Sequence, residues 1–478
     1  MRSHCAVAAL VLALSLSAPG APVSAQPVPA APQASDTAAG GSFDPVVDPV
    51  AATEAWLARM PPAERARSDA YFEGGYWLQL WDFLYGLAVF WLLLRTGWSA
   101  GMRDRAERWG HRWTTWRPLQ TFLYAVQFIA AVSLLGFPLA VYEGFFREHQ
   151  YGLSNQTFGG WLRDQGIGFG LAIVLGGLAV TGLYAVLRRA PRTWWLWGTV
   201  FGVLFLALGL LIAPVFVEPL FNDFSELTDP AVRGPILSLA RANGIPADHV
   251  YVYDASKQSK RVSAHVSGFL GTTQISLNDN LLKRMSLPAV EAVMAHEMGH
   301  YVLHHVNELL ESMGLVLFAG FLFLRWSFDA ANRRWGRGWG VHGIAGIAGI
   351  SDMAGLPLLA ALFSVYLFAM TPVLNTIIRT NEAEADIFGL NASRQPDGFA
   401  EAALLLGEYR KLSPGPLEEV IFFDHPSGRN RILMAMRWKA EQGASTGNTP
   451  APAPDTPPPA PSPTPDSSPA LPPGGARP

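Results

Sequence analysis

Residues 193–217 read TWWLWGTVFGVLFLALGLLIAPVFV, without one Asp, Glu, Lys or Arg. At about 1.5 Å of rise per residue, roughly 20 apolar residues cross the hydrocarbon core of a bilayer, so this run is long enough to span it as a helix. Pro118 to Tyr142, Gln165 to Leu187 and Met353 to Ile378 are equally free of charge. Gly74 to Leu94 is broken only by Asp82, and Ser312 to Leu324 is short but extends through Phe328 and back along a preceding helical pattern. These stretches predict six spans. A buried helix of a large soluble protein explains one such run, not several.

The composition agrees. Hydrophobic residues make up 50% of the chain and charged residues 15%, against roughly 25% charged in soluble proteins. With 35 basic residues against 38 acidic and a net charge of −3, the broad basic surface that nucleic-acid binding requires is missing, so no nucleic-acid partner is expected. The single cysteine, Cys5, excludes an internal disulfide framework and a thiolate metal site; a metal here needs His and carboxylate ligands.

Residues 1–25 combine Arg2, an apolar stretch from Ala6 to Leu16 and the small-residue pattern Val23-Ser24-Ala25, which reads as a signal peptide. Residues 26–70 are expected as a flexible exported segment and 443–478 as a disordered Pro-rich tail. Between them the chain divides into four spans in 71–217, a polar segment in 218–311, two spans in 312–378 and a polar segment in 379–442. Arginines cluster in alternate loops: Arg95 to Arg117 after the first span, Arg188 to Arg192 after the third, Arg333 to Arg337 after the fifth. Cytoplasmic loops carry the Lys/Arg excess, which puts both polar segments on the extracytoplasmic side. The Ala-, Arg- and Pro-rich composition suggests a bacterial chain, hence an inner-membrane location.

Within the polar segment, His249 to Tyr253 and Thr272 to Leu277 are short β-prone runs with Gly268 and Gly271 between them; from Leu287 the pattern turns helical. There stands His296-Glu297-Met298-Gly299-His300. Residues four apart share a helix face, so both imidazoles can hold one Zn²⁺, while Glu297 can act as general base toward a water that the metal polarises. A catalytic zinc needs a third protein ligand. Glu382-Ala383-Glu384-Ala385-Asp386 follows the last span; Glu382 and Asp386 share a face and Glu384 points elsewhere, making Glu382 the expected ligand and Asp386 the carboxylate that orients a ligand imidazole. Charge balance in a solvent-facing helix is the alternative. In Asp424-His425-Pro426-Ser427-Gly428-Arg429-Asn430-Arg431, His425 and Arg431 could donate to an oxyanion, or simply be solvated residues at a helix start.

HEMGH, then EAEAD, then DHPSGRNR resembles the integral-membrane zinc metallopeptidases typified by the type I CAAX prenyl endopeptidases. Tyr142, Phe146, Glu148, Tyr151-Gly152, Gln156-Thr157 and Asp164 resemble that family's loop between spans, and Ser259-Lys260-Arg261 with Gly271 to Leu282 its strand segment before the zinc helix. The resemblance implies a mainly α fold: a polytopic membrane helical barrel enclosing a chamber, with a small α/β zincin domain at its mouth. It implies one Zn²⁺ per chain on His296, His300 and Glu382, Glu297 as base, Asp386 behind a ligand histidine, and His425 and Arg431 on the substrate. The partners implied are a peptide or protein substrate, laid along an edge strand by main-chain hydrogen bonds, and the lipid bilayer.

Two departures stand out. Where the family presents an asparagine to the substrate backbone, the nearest residue here is His265, which offers an imidazole in place of an amide. Family analogy also turns the site toward the cytoplasm, opposite to the arginine loops. Two non-enzymatic readings compete: a zinc-binding scaffold impaired at His265, and a metal transporter. The charge-free spans disfavour the transporter, which would carry ionisable residues at membrane depth.

Overall fold

The computed structural model describes residues 48–113, 115–267, 273–341 and 349–447. The expected signal peptide, Gly268, Gly271 and residues 448–478 of the expected tail lie outside the described residues. Among the described residues six helices are long and apolar enough to cross a membrane: Pro62–Arg95, Arg117–Gln150, Phe158–Arg189, Trp194–Leu220, His305–Trp339 and Met353–Ser393. Trp194–Leu220 is both the most apolar and the least buried of them, with Leu204 65% and Leu208 51% exposed. A helix apolar all round yet uncovered by protein belongs against lipid. The inward faces meet in a core that includes Phe90, Tyr124, Phe128, Tyr184 and Phe328.

The spans differ from expectation at their ends. The second helix runs past Tyr142 through a π-helical turn, Tyr142–Arg147, to Gln150, so the connection to Phe158 is much shorter than the loop between spans expected over Tyr142 to Asp164. Two charges of this stretch do not face solvent: Glu143 and Arg147 are buried, and the Arg147 guanidinium lies 4.1 Å over the Tyr71 ring, a cation–π contact that offsets desolvation. Part of the segment expected to be flexible is helical, as Pro49–Leu57 and from Pro62 onward, because Leu57 and Met60 pack against Phe399, Leu412 and Met436.

Arg103, beyond the first span, pairs with Asp352 before the sixth at 2.7 Å, so these two connections share one face of the bundle. On the other face Asn155 donates to the Gln258 carbonyl at 3.0 Å and Lys260 to that of Leu153 at 3.1 Å; the connection between spans two and three thus touches the polar domain. That domain holds a four-stranded sheet: β1 (Phe224–Glu226), β2 (Val250–Tyr253), β3 (Ala264–Ser267) and β4 (Gln274–Asn278), ordered β1-β2-β4-β3. β2 and β4 correspond to the two β-prone runs and pair in parallel, Val250 opposite Ile275. β3 pairs antiparallel with β4, His265 opposite Ser276, and is an edge strand.

The helix Leu287–Val302 starts where the Ser286 hydroxyl accepts from Ala289 N–H, with Pro288 in the first turn. Val290, Met294 and Met298 pack on Ile275, Leu277 and Leu281. Although no proline interrupts residues 289–328, the helix does not run on into the fifth span. His304 takes a left-handed φ of 60°, and a new helix starts at His305.

Candidate active site

Small residues bring the motif helix against the last membrane helix. A Cβ on Gly389 would lie 3.0 Å from the His296 nitrogen, and one on Gly299 would lie 3.3 Å from Ala385 Cα. With backbones this close, His296 and His300 face Glu382 and Asp386 directly. His296 Nε2 and His300 Nε2 stand 3.1 Å apart. Glu382 Oε2 is 3.3 Å from the former and Oε1 is 3.6 Å from the latter. Ligand atoms about 2.0–2.1 Å from a tetrahedral cation are about 3.3 Å from one another, so the cluster has the dimensions of a metal site. Glu382 Oε2 is buried and makes no well-aligned hydrogen bond, although His296 Nε2 and His425 Nε2 stand 3.3 and 3.2 Å away, a poorly satisfied state that a cation would relieve. The residues present fit a zinc ion.

Around these three, other side chains fix orientation. Asp386, fully buried, has Oδ1 2.7 Å from His296 Nδ1, close but off the line of a well-aligned hydrogen bond. It accepts from Arg431 Nε at 2.9 Å and from a second guanidinium nitrogen, so two of the Arg431 nitrogens are spent behind the cluster. His300 Nδ1 meets His305 Nδ1 at 2.9 Å. His425 puts Nε2 3.2 Å from Glu382 Oε2 and Nδ1 3.0 Å from Asp424. Glu384 turns away from the cluster, toward His305 Nε2 at 3.4 Å.

Electrostatics separates the groups. Burial opposes charge on His296, yet the neighbouring carboxylates of Asp386 and Glu382 hold its imidazole up at about 10; as a ligand it would give up the Nε2 proton and keep the one on Nδ1 toward Asp386. Burial, then the neighbouring His296, drives His300 down to about 3, which keeps it neutral, the state that metal binding by an imidazole requires. Burial pushes Glu297 up to about 7, a proton affinity suited to a base that takes a proton and returns it near neutral pH.

His265, Glu297, His425 and Arg431 line one cavity with the cluster, its volume about 310 Å³. On β3, His265 has Nε2 3.4 Å from Glu218, and burial lowers its pKa despite that carboxylate. His305 was not read from the sequence: five positions after His300, it leaves the helical face, and only the left-handed turn at His304 returns it. The adjacent pair His304-His305 was the available signal.

Comparison with known proteins agrees with this arrangement. Residues 226–439 match the family model described as Peptidase family M48, and 52–223 match that described as CAAX prenyl protease N-terminal, five membrane helices; among the described residues that stretch holds four helices of spanning length. An uncharacterized metalloprotease of Bacillus subtilis, YhfN, is 30% identical over 79% of this chain and 86% of its own. CAAX prenyl protease 1 of Saccharomyces cerevisiae is 31% identical over 37% of this chain and 40% of its own. The crystal structure of S. mikatae Ste24p superposes with a TM-score of 0.64 at 21% identity, covering 82% of this chain and all of that one. The fold is therefore the mainly α membrane chamber expected from the sequence, and the activity is that of an integral-membrane zinc metalloendopeptidase. Likeness spread over most of both chains makes this protein a member of peptidase family M48.

Proposed function

We propose that His296, His300 and Glu382 hold one Zn²⁺ per chain, and that Glu297 is the general base of peptide-bond hydrolysis. The convergence of two Nε2 atoms 3.1 Å apart on the two oxygens of one buried carboxylate, at 3.3 and 3.6 Å, carries the reading. When bound, the cation supplies Lewis-acid polarisation to a water and to the scissile carbonyl. Glu297 takes the proton from the attacking water and returns it to the leaving amine. Asp386 holds the proton of His296 on Nδ1, which leaves Nε2 to the metal, and Arg431 holds Asp386. His425, anchored by Asp424, donates from Nε2 to the substrate oxygen, and Arg431 supports the same charge.

The peptide lies antiparallel along β3, its main chain hydrogen-bonded to the strand beside His265; selectivity then rests on the cavity rather than on a long sequence motif. Residues 218–311 and 379–442 form the catalytic unit, carried by the spans in 71–217 and 312–378. The arginine-rich connections face the cytoplasm, and the site opens on the extracytoplasmic side of a bacterial inner membrane. The relatives named CAAX prenyl proteases suggest a lipidated peptide as substrate. A site outside the cytoplasm favours segments of misfolded or mistargeted membrane and envelope proteins instead.

The decisive measurement pairs zinc content with peptide hydrolysis. Glu297→Gln retains the metal and loses about 10²–10⁴-fold in turnover, the range for a positioned acid–base group. Full activity in that variant overturns the assignment.

A further inference from the structure

On the far side of His300 a second set of ligand-type groups converges. His305, Glu308 and Glu384 each place one ligand atom within 4.8 Å of the other two. Two exposed carboxylates alone would mean little. His305 changes that: it is 1% exposed, and its Nε2 is buried with no hydrogen-bond partner, aimed at Glu384 Oε2 3.4 Å away. A buried nitrogen left without a partner is expensive. One imidazole nitrogen with two exposed carboxylates suits a divalent cation of the Zn²⁺, Co²⁺ or Mn²⁺ type.

We propose that His305, Glu308 and Glu384 form a second, weaker divalent-cation site, and that occupying it works against the first. The two sites meet at the 2.9 Å contact between His300 Nδ1 and His305 Nδ1, which has room for one proton. His300, ligating through Nε2, carries its proton on Nδ1 and donates it to His305. His305, accepting on Nδ1, then carries its own proton on Nε2, the atom a second cation needs. A cation there moves that proton to Nδ1, where two N–H groups face each other. The contact that orients His300 is lost, so excess metal inhibits the enzyme that it also activates.

The proposal rests on His300 being a ligand of the first ion, and the test keeps the two apart. The full chain is stripped of metal and titrated with Zn²⁺ alone, with bound zinc measured by equilibrium dialysis and elemental analysis and hydrolysis followed in parallel. The expected result is two ions per chain at high free zinc, with a several-fold fall in hydrolysis between the first and the second. Glu308→Gln, a change at an exposed carboxylate away from the first cluster, and the Glu308→Gln/Glu384→Gln pair take one ion and escape the inhibition. Saturation of the unmodified protein at one ion overturns the proposal, as does a second ion that leaves hydrolysis unchanged or binds the paired variant equally well. Failure to bind any zinc tightly sinks the catalytic reading instead.

Discussion

Gly389 in the last membrane helix abuts the backbone of His296: a Cβ at 389 would stand 3.0 Å from the His296 nitrogen and 3.1 Å from its Cα. Backbone atoms cannot rotate aside. Gly389→Ala therefore separates the helix that carries the two imidazoles from the one that carries Glu382. Overpacking of this kind costs about 1–3 kcal/mol. The expected outcome is a lower thermal midpoint and zinc that is lost on dialysis where the unmodified protein keeps it. Gly75→Ala, where a Cβ meets nothing within 4 Å, is the control and leaves zinc retention unchanged.

Asp386 and Arg431 form a buried pair, and removing one partner strands the other. Arg431→Met leaves a carboxylate that is 0% exposed facing His296 alone, a loss expected at about 3–5 kcal/mol. Adding Asp386→Asn removes the stranded charge, and the double variant melts at a higher temperature than Arg431→Met does. Zinc affinity stays about 10–100-fold down in both, because the imidazole is no longer oriented. A double variant that melts no higher than the single one contradicts the pairing.

The parts legible in the sequence are those governed by local periodicity. Charge-free runs announce the spans because lipid selects composition along a single helix, and HEMGH and EAEAD announce their faces because residues four apart align. Arg431 was legible as a residue near the chemistry but not as the partner of Asp386, since nothing local relates positions 386 and 431. Strand β3, Ala-His-Val-Ser, lacks the β-branched and aromatic run that announces the equally short β2, Val-Tyr-Val-Tyr, and becomes a strand beside β4. Likewise, Arg147 reads as a loop charge, because its burial depends on Tyr71 from another span. His305 depends on a left-handed turn at His304, a conformation uncommon for any residue but glycine, even though histidine enters it more readily than most.

If β3 carries the substrate, His265 decides how firmly the peptide backbone is held. An imidazole offers one donor there, and its Nε2 already lies near Glu218; an amide offers both a donor and an acceptor. His265→Asn is expected to lower KM several-fold with zinc content unchanged. The check is a steady-state comparison on one unlipidated peptide, and an unchanged KM removes His265 from the substrate path.

Acid sensitivity of the polar domain has an identifiable source in Asp279. Burial opposes its charge, but hydrogen bonds from Lys283 and Ser256 outweigh that and hold the carboxyl below its usual range. Ser256 N donates to Oδ1 at 2.8 Å and Lys283 Nζ lies 2.6 Å from Oδ2. These contacts pin the turn Ala255–Lys257, from which the chain leads to the edge strand. Because the folded pKa lies below the unfolded value of about 3.9, the stabilisation is complete above the unfolded pKa and disappears as pH falls through the folded one. Asp279→Asn should therefore melt below the unmodified protein at pH 7, by about 1 kcal/mol of stability, and the gap should close as pH falls from 5 to 3. Thermal melts of both proteins across that range provide the check. A gap that persists at pH 3 would assign the effect of Asp279→Asn to packing rather than to the charge.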